Sequence, residues 1–178
     1  MCIRDRNKQL KNLKKSFKSQ DFLEAFMPEP FTNNGPNSYD YRTAEIPAGN
    51  GHGTASSLAK LFGILATGCE RNNLTLLKNK TLEKAIEIHS SGPDTVLFGV
   101  KLNFGYCFML EGNKNSNINY APIFYKGTFG HAGIGGSVAF GDRKNKLSYS
   151  FVCNKQQKSK NLYKTSNMLT NALYKTIN

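Results

Sequence analysis

Hydrophobic positions along the chain follow first a helical and then a strand period. Leu58, Leu61, Phe62 and Leu65 fall at i, i+3, i+4 and i+7, which predicts a helix entered through Thr54 as N-cap and closed by Gly68. A second helix is expected from Thr81 to about His89, burying Leu82, Ala85 and Ile86. After Ser91-Gly92-Pro93 the period shortens to two. Residues 104–110 read as one strand with Phe104, Tyr106 and Phe108 on one side, followed by a polar loop over 111–116.

Residues 137–140 and 147–153 read as an antiparallel hairpin whose turn, 141–146, has a charged tip. In its second strand Leu147, Tyr149 and Phe151 alternate with Ser148 and Ser150, giving one large face and one small face. A small face lets a helix approach closely. The expected occupant is the last helix, from about Asn161 to Ile177, with Leu162, Ser166, Leu169, Leu173 and Ile177 in one stripe. The fold class that follows is α+β, an antiparallel sheet flanked by helices.

Upstream the pattern weakens. Residues 28–47 are linker-like, with Pro28, Pro30 and the run Asn33-Asn34-Gly35-Pro36-Asn37, and helix is disfavoured there. Leu10, Leu13 and Phe17 lie at helical spacing among lysines. That suits either a helix on a membrane surface or a solvated helix packed on its own domain. Residues 1–6, Met1-Cys2-Ile3-Arg4-Asp5-Arg6, carry no apolar core of a signal peptide and resemble a translated adapter scar rather than a native start. The expected division is a basic extension over 1–27 and one domain over 28–178.

At 178 residues the chain is long enough to bury a core without disulfides or metal. No apolar run reaches the length of a membrane span, so no span is expected. The net charge of +12 is carried by the ends: +6 over residues 1–18, +7 over 142–178, and −1 between them. Charge at two ends without a reading motif does not make a nucleic-acid interface, and no nucleic-acid partner is expected. Cys2, Cys69, Cys107 and Cys153 show no short ligand spacing, so they read as small hydrophobes rather than zinc ligands. No metal and no cofactor are expected.

Candidate chemistry concentrates in Phe129-Gly130-His131-Ala132-Gly133-Ile134-Gly135-Gly136-Ser137. A phosphate cradle would need a helix after the glycines, and here a hairpin follows. The other reading is a strand whose Gly133, Gly135 and Gly136 let a substrate lie close to the backbone, with His131 at its start as a donor or proton carrier. A structural role for His131 stays open on the residues alone.

Residues 41–55, Tyr41-Arg42-Thr43-Ala44-Glu45-Ile46-Pro47-Ala48-Gly49-Asn50-Gly51-His52-Gly53-Thr54-Ala55, followed by Leu58-Ala59-Lys60-Leu61, look like a signature of the beta-lactamase-related serine hydrolases. That family joins class C beta-lactamases, penicillin-binding DD-peptidases and esterases. Ser91-Gly92-Pro93-Asp94, residues 104–110, residues 129–137 and residues 149–154 occur in the family's order. The resemblance runs from about residue 28 to 177 and implies the C-terminal part of a beta-lactamase/DD-peptidase-like fold.

The resemblance implies a mechanism with a Ser-x-x-Lys nucleophile, a Tyr-x-Asn and a third motif on a sheet strand. His131-Ala132-Gly133 matches that motif in its His-x-Gly form. By this carry-over His131 is catalytic, the backbone N–H of Ile134 is an oxyanion-hole donor, and Ala132, Gly133 and Gly135 line the substrate. The nucleophile Ser, its Lys and the catalytic Tyr are expected to be absent from this chain. Ser57-Leu58-Ala59-Lys60 has the spacing but sits in a packed helix downstream of the nucleophile's place, and Tyr39 and Tyr41 lie too close to the middle motif.

The chain is therefore expected to be a C-terminal fragment of a hydrolase acting on an ester, peptide or beta-lactam, inactive alone, whose partner in the full-length protein is a small-molecule or peptide substrate. The alternative is a stand-alone, non-catalytic binding module of the same fold. Compartment and oligomeric state are left open.

Overall fold

The computed structural model describes residues 38–47, 49–95, 99–112, 121–133, 135–155 and 161–177. Expectations for residues 1–37, for 113–116 and for Ile134 fall outside these residues. The chain divides into two compact units, residues 1–53 with 94–99 and residues 54–93 with 100–178.

In the first unit the linker reading is corrected, because Tyr39–Thr43 forms a short helix, α1. Ser38 caps it by accepting the Tyr41 N–H at 3.1 Å. The Tyr41 hydroxyl donates to the Gly49 carbonyl at 2.8 Å, and the Asn50 amide donates to the carbonyls of Tyr41 and Ala44. These local bonds satisfy the ends of a helix too short to stand on propensity.

The second unit opens with α2, Ala55–Ala66, entered through a capping box. The Thr54 side chain accepts from Ser57 N–H, while the Ser57 hydroxyl oxygen accepts from Thr54 N–H. Phe62, Leu65 and Ala66 are buried, whereas Leu61 is 44% exposed. Strands β1 (Glu70–Arg71) and β2 (Leu74–Thr75) form a small hairpin. Asn72 and Asn73, at φ 51° and 63°, supply its turn, an Asn-Asn signal that the sequence carried unread. Helix α3 spans Asn79–Ala85 around a fully buried Leu82 and ends before the expected boundary.

The main sheet is a meander of six strands in chain order: β3 (Ser90–Asp94), β4 (Val100–Phe104), β5 (Met109–Gly112), β6 (Phe124–Ala132), β7 (Val138–Asp142) and β8 (Leu147–Phe151). Successive pairs from β4 to β8 are antiparallel. The expected single strand over 104–110 is broken instead by a turn. Gly105 N–H donates to the Phe108 carbonyl at 2.9 Å, and Cys107 sits at φ 63°. Tyr and Cys carry no turn chemistry, so alternation alone read through the corner.

Register fixes what each sheet face meets. Phe129 pairs with Gly141, His131 with Ala139, and those two β7 residues with Ser148 and Ser150. Directly opposed residues share a face, so this face is small at its centre. Helix α2 covers it. The Ser148 hydroxyl donates to the Ala59 carbonyl at 2.7 Å, and Gly63 leaves room for it. Phe62, Phe108 and Phe129 meet edge-on or tilted, with ring centroids 5.3–6.3 Å apart.

The C-terminal helix α4, Lys164–Ile177, lies on the other face, which corrects the expectation for both faces. Its buried side is Ser166, Asn167, Thr170 and Tyr174, while Leu169 and Ile177 of the expected stripe are 44% and 40% exposed. The receiving surface is already filled by rings: Tyr174 stacks on Tyr125 at 3.9 Å and lies 6.2 Å from Phe140. Small polar residues fit between such rings and can bond the strand ends. Asn167 does so, donating to the Ala121 carbonyl and accepting from Ile123 N–H.

Candidate active site

Strand β6 delivers the candidate histidine. Thr128, Phe129 and Gly130 are buried, and Gly130 is pressed against β7: a side-chain carbon there would meet the Ala139 carbonyl and, at 2.6 Å, Cβ of Phe140. Two residues past Phe129 on the same face, His131 is exposed, where the core gives out. Its Nδ1 lies 2.9 Å from the Ala132 carbonyl. A carbonyl only accepts, so Nδ1 is the donor in that bond.

The strand ends at Ala132, half-buried opposite Val138, so the glycine run is a connection rather than strand. Gly133 N–H donates to the Ser137 carbonyl at 2.8 Å, and Gly136 N–H donates to the Gly133 carbonyl at 2.9 Å. Gly136, at φ 100°, takes the left-handed conformation that this turn back into β7 requires. Turn geometry thus accounts for Gly136. Gly133 differs: it is exposed, and a side-chain carbon there would meet nothing within 4 Å. Gly135 is half-buried, its carbonyl 3.0 Å from the Cys153 thiol. Ile134 lies outside the described residues.

Two residues to which the sequence reading gave no part in the site hold this loop. The Tyr163 hydroxyl donates to the Gly133 carbonyl at 3.0 Å. Cys153 N–H donates to the Ser137 hydroxyl oxygen at 3.3 Å, and the Cys153 thiol donates to Gly135. Burial, with a smaller contribution from the Cys153 thiol, pushes Tyr163 well above the ordinary tyrosine range, so it stays a donor. These partners come from 16 to 30 residues away, beyond the reach of any local motif.

Ser57 and Lys60 are both exposed, and the Ser57 hydroxyl is engaged in the α2 capping box, donating to the Thr54 carbonyl at 2.9 Å. Among the described residues no group of three or more His, Cys, Asp or Glu could hold a metal ion, and no helix is long and apolar enough to cross a membrane.

Residues 17–170 match the beta-lactamase family. The esterase/beta-lactamase LipL of Mycobacterium tuberculosis is 33% identical over 115 residues, which is 63% of this chain and 24% of LipL. A penicillin-binding protein homolog from Caulobacter crescentus superposes with a TM-score of 0.61 at 32% identity, over 76% of this chain and 34% of that one. A family VIII carboxylesterase gives 0.58 at 29% identity, over 70% and 32%. The chain thus spans about a quarter of the curated relative and about a third of these solved structures. Sequence match, antiparallel sheet and flanking helices agree: this chain belongs to the beta-lactamase family, among its related serine hydrolases.

Proposed function

We propose that residues 28–178 form the C-terminal part of a serine hydrolase that works through an acyl-enzyme on an ester, peptide or beta-lactam. In this reading His131 fixes polar groups of the substrate and the proton network around the nucleophile. Gly133 leaves the substrate room, and the Ile134 N–H is one of two donors to the tetrahedral oxyanion. Such donors act because they are oriented before charge develops, and removing one raises the barrier by about 3–4 kcal/mol. The attacking serine, its lysine and the tyrosine of Tyr-x-Asn come from sequence upstream, so the 178-residue chain alone is inactive.

The observation that carries this reading is the emergence of His131 into solvent at the end of β6, beside a tethered loop, in a chain matching about a third of its relatives' length. A histidine third motif suits ester or peptide hydrolysis better than resistance to an antibiotic. The test is to recover the upstream reading frame and treat the completed protein with fluorophosphonate and penicillin probes. Labelling of a Ser-x-x-Lys serine is expected, with none on the 178-residue chain. A completed protein without that motif that resists both probes overturns the proposal and leaves a binding module.

A further inference from the structure

We infer that Tyr106 is a specificity-determining residue, offering one face of its ring to a flat aromatic group of a substrate whose scissile carbonyl is processed beside His131. This rests on the acyl-transfer reading above. Register brings the two residues to one end of the sheet. Phe104, Met109, Gly130, Phe140 and Tyr149 are paired across successive strands and form one row. One step beyond this row β6 reaches His131, while the β4–β5 hairpin reaches Gly105 and Phe108 and turns through Tyr106 and Cys107. Strands β4 and β6 are two strand spacings apart, so the turn stands roughly 10 Å from the histidine's strand. Both lie on the same face. Phe108 packs edge-on to Phe129, two residues before His131, and the turn is bonded to the end of α3, whose Leu82 and Ile86 join the same core. Past Gly130 the pairing of β5 with β6 stops, whereas β7 follows β6 to Ala132. The side of His131 toward the turn therefore carries no ladder among the described residues.

The Tyr106 ring is exposed and yet held. It is 54% exposed, and His89 stacks on it with ring centroids 3.9 Å apart and planes 23° from parallel. His89 is fixed in turn: its N–H donates to the Phe104 carbonyl at 2.8 Å, and its Nε2 lies 3.0 Å from the Lys84 carbonyl. Tyr106 N–H donates to the Ala85 carbonyl at 2.8 Å, and Gly105 lies so close to that carbonyl that a side-chain carbon there would strike it. Cys107 completes the turn in a left-handed conformation, φ 63°, that costs a non-glycine residue free energy. A tyrosine left merely to solvent needs none of these constraints. The stack covers one face of the ring, so the exposed area belongs to its other face and edge. A ring already immobilised in this way can stack on a flat aromatic group without a further ordering cost.

The test uses the completed protein and pairs of esters matched in size that differ in flatness. Ethyl phenylacetate against ethyl cyclohexylacetate probes the acyl side, and benzyl acetate against cyclohexylmethyl acetate probes the alcohol side. The parent is expected to favour the phenyl member of one pair by about 3- to 10-fold in kcat/KM, the size of effect that one aromatic stack supplies. Tyr106→Ala should bring that ratio to about one, and Tyr106→Phe should keep it. Tyr106→Leu, which retains bulk without a flat face, gives the same reading where the alanine variant does not fold. The pair that responds shows which side of the ester meets the ring. A parent that turns over these esters without favouring either phenyl member overturns the assignment and leaves the acyl-transfer reading standing. So does a preference that survives in folded Tyr106→Ala or Tyr106→Leu. A completed protein that neither turns over nor labels removes the acyl-transfer reading, and this inference with it.

Discussion

The Tyr174 hydroxyl donates to Oδ2 of Asp142 at 2.6 Å, and both residues are buried. Asp142 closes β7, and its other bonds go to the N–H and side-chain amide of Asn145 in the hairpin tip, at 3.0 and 2.8 Å. One carboxylate therefore joins the tip of the β7–β8 hairpin to the last helix. Tyr174→Phe keeps the ring stack on Tyr125 but leaves a buried carboxylate short of a donor. A loss of about 2 kcal/mol is expected from urea denaturation. An unchanged unfolding midpoint would show that the bond contributes nothing.

Alkaline pH tests the same contact from another side. Burial raises Tyr163 and Tyr174 above the unfolded tyrosine value of 10.0, and the bond to Asp142 raises Tyr174 further. Both pKa values are raised in the folded state, so their contribution is complete below about pH 10 and is lost above it, where the unfolded chain gives up protons that the folded chain keeps. Stability should be flat with respect to these groups between about pH 7 and 9 and fall beyond about pH 10, less steeply in Tyr174→Phe. Phenolate absorbance recorded alongside unfolding separates the two tyrosines from the exposed ones.

Gly130 and Gly133 make a matched pair. Gly130→Ala drives a carbon into the Ala139 carbonyl and Phe140, neither of which can yield without parting β6 from β7. A loss of about 3 kcal/mol or more is expected, read as a lowered melting temperature or insoluble expression. Gly133→Ala meets open space, and its stability should stay within about 0.5 kcal/mol of the parent. Equal effects at the two positions would contradict the packing described for β6.

Ser57→Ala removes half of the α2 capping box and should cost about 0.5–1 kcal/mol of stability. In the completed protein, fluorophosphonate labelling should be untouched. Loss of labelling would make Ser57 a nucleophile after all.

His131→Ala removes an exposed side chain, so stability should change by less than about 0.5 kcal/mol. In the completed protein kcat/KM on an ester is expected to drop about 10²-fold. A variant as active as its parent would return His131 to a structural role.

How much could be read beforehand differs from element to element. Helix α2 and the β7–β8 hairpin were legible because a cap, a stripe and a charged tip each act within a few residues. The corner at 105–108 was not, since its two central positions are Tyr106 and Cys107, and Cys107 takes a left-handed conformation that glycine or asparagine would ordinarily announce. Nor was the buried side of α4. The eye follows leucines, yet Tyr174, Asn167 and Thr170 are chosen by the rings and strand ends beneath them, partners 32 to 46 residues distant where hydrogen bonds show the separation. The site divides the same way: His131 stood out by its motif, while Tyr163 and Cys153 matter through bonds that only the folded chain makes.

The meeting of Ser148 with Ala59 and Gly63 has a consequence for how this molecule can change over generations. It is a close joint between helix and sheet, and Phe62, next to Gly63, leans on Phe129, two positions before His131. A bulkier residue at 63 or 148 would press the helix away from the sheet and, through Phe62 and Phe129, disturb the end of β6 that carries His131. Drift at that joint should therefore surface first as lost stability, and reach the surroundings of His131 only through the rings between.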